Sequence, residues 1–273
     1  MPPRRGSRGP GSRGNESDFP WWLLAAGGIG AVLLWRIVTD DLYARVLSTL
    51  ARGITITLTV TFVAYALATV LGLALAMAAL SRSLVLRQAA RFYVEIMRGI
   101  PIMVLLLYIA YVGTPALVAG WNALTGWTGI APLSTRDIPF VWRAIIALTL
   151  AYASFLAEVF RAGILSVDPG QTEAARSLGL KRWQSFRLVV WPQAFRTILP
   201  PYGNDFVAMV KDSSLVSVVG VADITQIGKV TAAGNFRYFE TYNVVALVYL
   251  FMTIGLSLLL RRLERHLKRR PGT

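Results

Sequence analysis

Long apolar runs separated by short charged or Gly- and Pro-bearing connections set the pattern of this chain. They cover residues 21–38, 53–80, 99–117, 140–163, 199–221 and 241–260. Runs of this length are too long for strands and suit helices that cross a bilayer, so six spans are expected. The second run opens with alternating Thr55, Thr57, Thr59 and Thr61, which alone would suggest a strand; its length decides for a helix. Within it Ala64, Ala68, Gly72 and Ala76 recur every four residues, a small-residue face that lets another helix approach closely. Residues 40–52 carry Leu42, Val46, Leu47 and Leu50 at helical spacing, the pattern of a short amphipathic helix lying on the outer surface. Arg82, Arg87, Arg91 and Arg98 mark residues 81–98 as a cytoplasmic connection. The connection at 119–139, with Trp121, Trp127 and Pro132, reads as external and interfacial, and a second external loop ends near Glu240.

The connection between the fourth and fifth runs has structure of its own. Asp168 followed by Pro169, with Gln171 three residues after the Asp, is a helix start: the carboxylate can cap free N–H groups, and proline in the first turn loses no hydrogen bond. Gly179 is the matching stop. A helix of about ten residues is marginal in water unless another surface holds it. Its small apolar face carries Ala174, Ala175 and Leu178, flanked by Glu173, Arg176, Lys181 and Arg182. Read from these residues alone, it is a surface turn between two membrane helices or a docking element for a partner.

Composition sharpens the class. A chain of 273 residues that is 55% hydrophobic, with mean hydropathy +0.54, is an integral membrane protein. The formal charge of +14 is not gathered on a soluble module, which argues against nucleic acid as a partner. Its placement between apolar runs is an orientation signal: with the N-terminus inside, most of the 28 Lys and Arg fall on the cytoplasmic side, together with both termini and the Asp168–Gly179 loop. Residues 1–18, rich in Gly, Pro, Ser and Arg, form a disordered cytoplasmic tail. Basic residues ahead of an apolar core also describe a signal peptide, but no small-x-small cleavage site follows, so residues 19–38 are an uncleaved helix anchored by Trp21, Trp22 and Trp35. Asn15-Glu16-Ser17 matches a glycosylation sequon by chance on such a tail. With no Cys and a lone His266 in the basic tail at 266–273, no disulfide framework or zinc cluster is expected.

Glu173-Ala174-Ala175, three residues, Gly179, nine residues and then Val189-Val190-Trp191-Pro192 resembles the EAA loop of ABC importer permease subunits, whose pattern is E-A-A-x3-G-x9-I-x-L-P. Val189 stands for Ile, and Trp191 departs from Leu. Glu95-Ile96-Met97-Arg98-Gly99-Ile100-Pro101, Glu158-Val159-Phe160-Arg161-Ala162-Gly163 and Lys211-Asp212-Ser213-Ser214-Leu215 resemble the polar amino-acid uptake branch of that family. The resemblance covers residues 50–265. It implies an all-α fold: a five-helix type I importer core over residues 39–265, with the coupling loop at 164–200, plus one extra N-terminal helix. It also implies two permeases face to face, identical or paralogous, each docked by its loop helix on an ABC ATPase, with an extracytoplasmic solute-binding protein delivering substrate in a bacterial cell membrane. On this resemblance Asp168, Glu173, Ala174, Ala175, Gly179 and Pro192 belong to the docking loop.

No phosphate-binding loop is present, since Gly228-Lys229 is followed by Val230 and lacks the upstream spacing; nor is there H-E-x-x-H or G-x-S-x-G. No catalytic residue, metal or cofactor is therefore expected in this chain, with ATP and Mg on the partner ATPase. Ionisable groups within apolar runs cost several kcal/mol, about 3 on insertion scales, and pair or face water. Glu95, Arg98, Glu158, Arg161, Asn204, Asp205, Lys211 and Asp212 form this second set. Either they are ion pairs that fix helices, or some line a solute path or gate. Glu95, Arg98, Glu158 and Arg161 lie near the cytoplasmic boundary and suit anchoring or an inner gate, whereas Asp205, Lys211 and Asp212 sit deeper. A secondary transporter or channel acting without an ATPase is the competing function.

Overall fold

The computed structural model describes residues 21–268. The expected tail at 1–18 and residues 269–273 lie outside the described residues, and so do the side chains of Trp21 and Trp22. Among the described residues the chain is helical, with no strand. Helix α1 runs Trp21–Thr39, α2 Asp41–Ala79, α3 Leu84–Gly99, α4 Ile102–Tyr108, α5 Thr114–Thr125 and α6 Phe140–Leu165. After them come α7 (Pro169–Ser177), α8 (Arg182–Ser185), α9 (Trp191–Asp212), α10 (Ile224–Asn235) and α11 (Tyr238–Lys268). Four helical stretches among the described residues are long and apolar enough to cross a membrane: Asp41–Ala79, Ile102–Thr125, Phe140–Leu165 and Tyr238–His266.

The central contact is α2 against α6. Ala64, Ala68, Gly72 and Ala76 are all buried. A Cβ on Gly72 would meet Leu156 Cβ at 2.9 Å and the Ala153 carbonyl at 3.0 Å, so this face works only with small residues. Thr61 donates to the Thr57 carbonyl at 2.8 Å, which satisfies one of the alternating hydroxyls inside the helix. Helix α6 in turn carries α9: Gly163 lies so close to Ile198 that a Cβ would come within 2.2 Å of its side chain.

Three expectations are corrected. Residues 40–52 do not form a separate surface helix; they are the first turns of α2, capped by Asp40, whose side chain accepts from Leu42 N at 2.9 Å. Tyr43, Val46 and Leu50 are buried in a second cluster with Ile224, Val244, Val245 and Val248. Nothing breaks the helix at Gly53, because a missing Cβ is what lets the α10 backbone approach: Ile224 N would stand 2.6 Å from it. At 39 residues α2 is about 58 Å long, well beyond the ~30 Å of a hydrocarbon core.

The loop expected over 119–139 begins later, and the chain ahead of it is helical from residue 84 apart from the break at Pro101. Most of residues 81–98 form α3, which packs along α6 and donates from Tyr93 Oη to the Leu150 carbonyl at 2.9 Å. Pro101, without an N–H, separates α3 from α4. Helicity then continues through a π turn (Ile109–Gly113) into α5, past Leu117, so Trp121 sits on a helix.

The expected fifth span starts earlier than Pro200 and Pro201, which lie inside α9. Carrying Arg196, Asp205, Lys211 and Asp212, α9 falls outside the four apolar stretches. It ends in a 3-10 segment, Ser213–Val219, closed by Gly220 at φ 84°. The buried Asp223 then caps α10, accepting from Gln226 N at 2.8 Å, and ties it to α11 by accepting from Tyr249 Oη at 3.1 Å.

Gly72→Leu should lower the thermal midpoint of the detergent-solubilised chain, since overpacking costs about 1–3 kcal/mol. Gly120→Leu, where a Cβ meets nothing within 4 Å, should leave it in place. Equal midpoints for the two variants would mean that the α2–α6 crossing does not need its small residue.

Candidate functional site

The loop helix α7 is built as its end signals require. Asp168 Oδ1 accepts from Gly170 N at 2.7 Å at the N-terminus. At the other end Gly179 adopts φ 80°, and Leu180 N reaches back to the Ala175 carbonyl at 3.1 Å while Gly179 N bonds Arg176 O at 2.9 Å. That double closure is the left-handed stop glycine favours. The apolar face expected for Ala174, Ala175 and Leu178 is divided: Ala175 is buried, whereas Ala174 and Leu178 are exposed, Leu178 to 82%. Glu173 is exposed beside them, as are Gln171, Arg176 and Ser177, so the outward surface mixes one acid, one cation, small polar groups, Ala174 and the leucine just past the helix.

Behind α7 the chain doubles back through α8 and a π turn (Phe186–Val190) into α9. Lys181 N bonds Gln184 Oε1 at 2.9 Å, which starts α8. Pro192 is exposed in the first turn of α9. Helix α7 packs on this elbow with Ala175 buried, and a cleft of 620 Å³ opens beside the contact, lined by Val167, Thr172, Arg176, Arg182 and Phe186 among others. The helix therefore sits on a bracket rather than in the helical core.

Four of the eight charged or polar candidates come together elsewhere. A cavity of 560 Å³ between the end of α2, α3 and α6 is lined by Glu95, Arg98, Glu158 and Arg161, with Arg91 beside them. Arg161 grips Glu158 with two bonds, Nε to Oε2 at 3.0 Å and Nη2 to Oε1 at 2.5 Å. Both side chains remain more than a third exposed, so the pair faces the cavity. Arg98 places its guanidinium 5.7 Å from the Phe155 ring. Glu95 lines the same space from α3.

The remaining candidates divide by helix face. Asp205 and Asp212, seven residues apart, turn toward α2 and α6. Asp212 Oδ2 accepts from Tyr152 Oη at 2.7 Å, and Asp205 lies within electrostatic reach of Tyr65 and Tyr152. Asn204 and Lys211 are exposed on the adjoining face and do not join this cluster. The tyrosines were not marked out by sequence. Tyr65 Oη donates to the Tyr202 carbonyl at 2.5 Å, and Thr69 Oγ1 meets Tyr202 Oη at 3.0 Å. Tyrosine in the middle of a span, away from the interfaces where it is enriched, was the available signal.

The two groups adjoin along α6. Tyr152 packs on Phe155 at 5.8 Å, and Tyr152, Phe155, Glu158 and Arg161 follow at intervals of three, so one polar-aromatic stripe runs from Asp212 to the charged cavity. Chemically the stripe offers paired cations and carboxylates and a π face, suited to holding a small zwitterion rather than breaking a bond. Gly228 and Lys229 are inside α10, not in a phosphate-binding loop. Among the described residues no three His, Cys, Asp or Glu side chains are placed to share a metal ion.

Comparison with known proteins agrees with this architecture. Residues 68–272 match the family described as binding-protein-dependent transport system inner membrane component. The chain is 39% identical over 181 residues to a probable amino-acid permease protein, YxeN, of Bacillus subtilis, covering 66% of this chain and 74% of the relative. It is 38% identical over 184 residues to the glutamine transport system permease protein GlnP of Escherichia coli, covering 67% and 77%. A crystal structure of an amino acid ABC transporter with histidines superposes with TM-score 0.68 at 36% identity, over 80% of this chain and 94% of that one. A methionine ABC transporter, MetNI, at 22% identity and TM-score 0.63 shares the fold. This chain is a multi-pass membrane protein and belongs to the family of binding-protein-dependent transport system inner membrane components.

Proposed function

We propose that this chain is the permease subunit of an ATP-driven importer that moves a polar amino acid into a bacterial cell through the inner membrane. The observation that carries the reading is α7: a capped nine-residue helix packed on the elbow of α8 and the π turn, with Glu173, Ala174 and Leu178 turned outward and Gly179 fixing its end. A helix this short is marginal by itself, and an outward leucine is at home under a partner. The partner is a separate ABC ATPase that binds ATP and Mg; Asp168 and Pro192 shape the bracket that presents α7 to it. Family membership and the names of the relatives favour this over a secondary transporter or channel.

The orientation follows the positive-inside rule, with both termini and α7 in the cytoplasm and six spans, α9 serving as the fifth and α1 as an addition ahead of the 39–265 core. An exposed Lys211 and Asn204 in a span need water or protein opposite them. A second permease, identical or paralogous, meets that need by closing a water-filled path, and a solute-binding protein delivers substrate from outside. Closure of the ATPases on ATP moves the α7 bracket, and through α6 it moves the stripe that holds the solute. The driving force is a difference in ATP affinity between the two states.

Gly179→Asp adds a side chain into open space at a cost of about 1–2 kcal/mol for the left-handed backbone, so the chain should still insert and assemble. Removing the docking contacts should lower binding-protein-stimulated ATP hydrolysis by roughly 30-fold, the worth of one ~2 kcal/mol hot spot. Unchanged stimulation would remove α7 from the coupling role. Glu158→Gln takes one charge-assisted bond from the cavity, about 1.5 kcal/mol, and should raise the KM for uptake on the order of tenfold. If KM and maximal rate both stay put, the Glu158–Arg161 pair is a helix anchor and not part of the path.

A further inference from the structure

Between the last turns of α2 and the start of α9 lies a groove of 450 Å³ that belongs neither to the charged cavity nor to the outward face of α7. Its lining is Leu73, Met77, Trp183, Phe186, Arg187 and Trp191. Almost all of it is carbon. Trp183, Phe186, Trp191 and Phe195 form a ladder of rings with centroids 5.9, 6.1 and 5.9 Å apart. Trp191 is the residue that departs from the leucine of the loop pattern, so one of the two indoles in the ladder sits where the family pattern has an aliphatic side chain.

The surroundings are cationic. Residues 174–204 contain Arg176, Lys181, Arg182, Arg187 and Arg196 and no Asp or Glu. Arg187 is exposed on the groove, and Arg182, also exposed, lines the neighbouring cavity that shares Met77, Trp183 and Phe186 with it. Aromatic rings with arginines beside them, at the end of an apolar span, are the composition of a membrane interface. A second copy presenting the same surface would set like charges against each other. An acyl chain fills the carbon lining, and a phosphate answers the guanidinium groups.

We propose that this groove binds one anionic phospholipid, its acyl chain along Leu73, Met77, Phe186 and Trp191 and its headgroup phosphate at Arg187 and Arg182. Lipid contact is read by quenching and ATP coupling by hydrolysis, so the two readings can fail separately. The full chain is reconstituted in phosphatidylcholine vesicles containing increasing fractions of phosphatidylglycerol or phosphatidylcholine with brominated acyl chains, which quench tryptophan on contact. The groove component is the difference between the parent and W183F/W191F. Two arginines near a phosphate predict that brominated phosphatidylglycerol quenches this component at roughly tenfold lower mole fraction than brominated phosphatidylcholine. R182Q/R187Q should bring the two titrations together. Identical titrations in the parent chain overturn the proposal, with or without the variant, as does a preference that survives R182Q/R187Q. A groove component quenched by neither lipid also overturns it and shows that protein covers the groove.

Discussion

The structure depends on how closely α2 and α6 approach. Hydrocarbon offers no hydrophobic force to drive helices together, so close packing must come from van der Waals contact between small residues. Gly72 supplies the closest point, against Ala153 and Leu156, and the buried Ala64, Ala68 and Ala76 continue the seam. Once α6 is fixed on α2, the rest is positioned: α3 along one side through Tyr93, α9 along another through Gly163 and Ile198. The loop helix hangs between the ends of α6 and α9. A shift in either reaches α7, and a push on α7 reaches the polar stripe of α6.

That stripe is where burial and function oppose each other. Most of α6 is buried, yet Glu158 and Arg161 stay partly open toward the 560 Å³ cavity. Glu158 and Arg161 satisfy each other by a bidentate bond, which lets both charges persist beside apolar helices. Deeper along the stripe, Asp212 takes its bond from Tyr152 rather than from a cation. The arrangement leaves Arg98 and Glu95 without an ion-pair partner among the described residues, facing the same space as the Glu158–Arg161 pair.

Much of the fold was legible because membrane helices announce themselves by length and because small residues at a spacing of four mark a packing face. The α7 ends were equally plain: Asp168-Pro169 and Gly179 act through the backbone nearest to them, which is local chemistry. What was not legible depended on tertiary contact. Residues 40–52 looked like a surface helix because their apolar side chains were read against a bilayer, when α10 and α11 cover them. Pro200 and Pro201 looked like a start, but the helix passes through them from Trp191. The grouping of Glu95 and Arg98 with Glu158 and Arg161 required the packing of α3 on α6, and the split of Asn204 and Lys211 from Asp205 and Asp212 required knowing which face of α9 is covered.

The central claim is that this chain conducts an amino acid only when a separate ATPase drives it. The direct measurement is uptake of radiolabelled amino acids into proteoliposomes holding this chain with and without its co-expressed ATPase, at fixed binding-protein concentration. The account predicts accumulation that needs both the ATPase and ATP and is absent with this chain alone. Solute crossing down its gradient through the chain alone, at a rate ATP does not change, would contradict it.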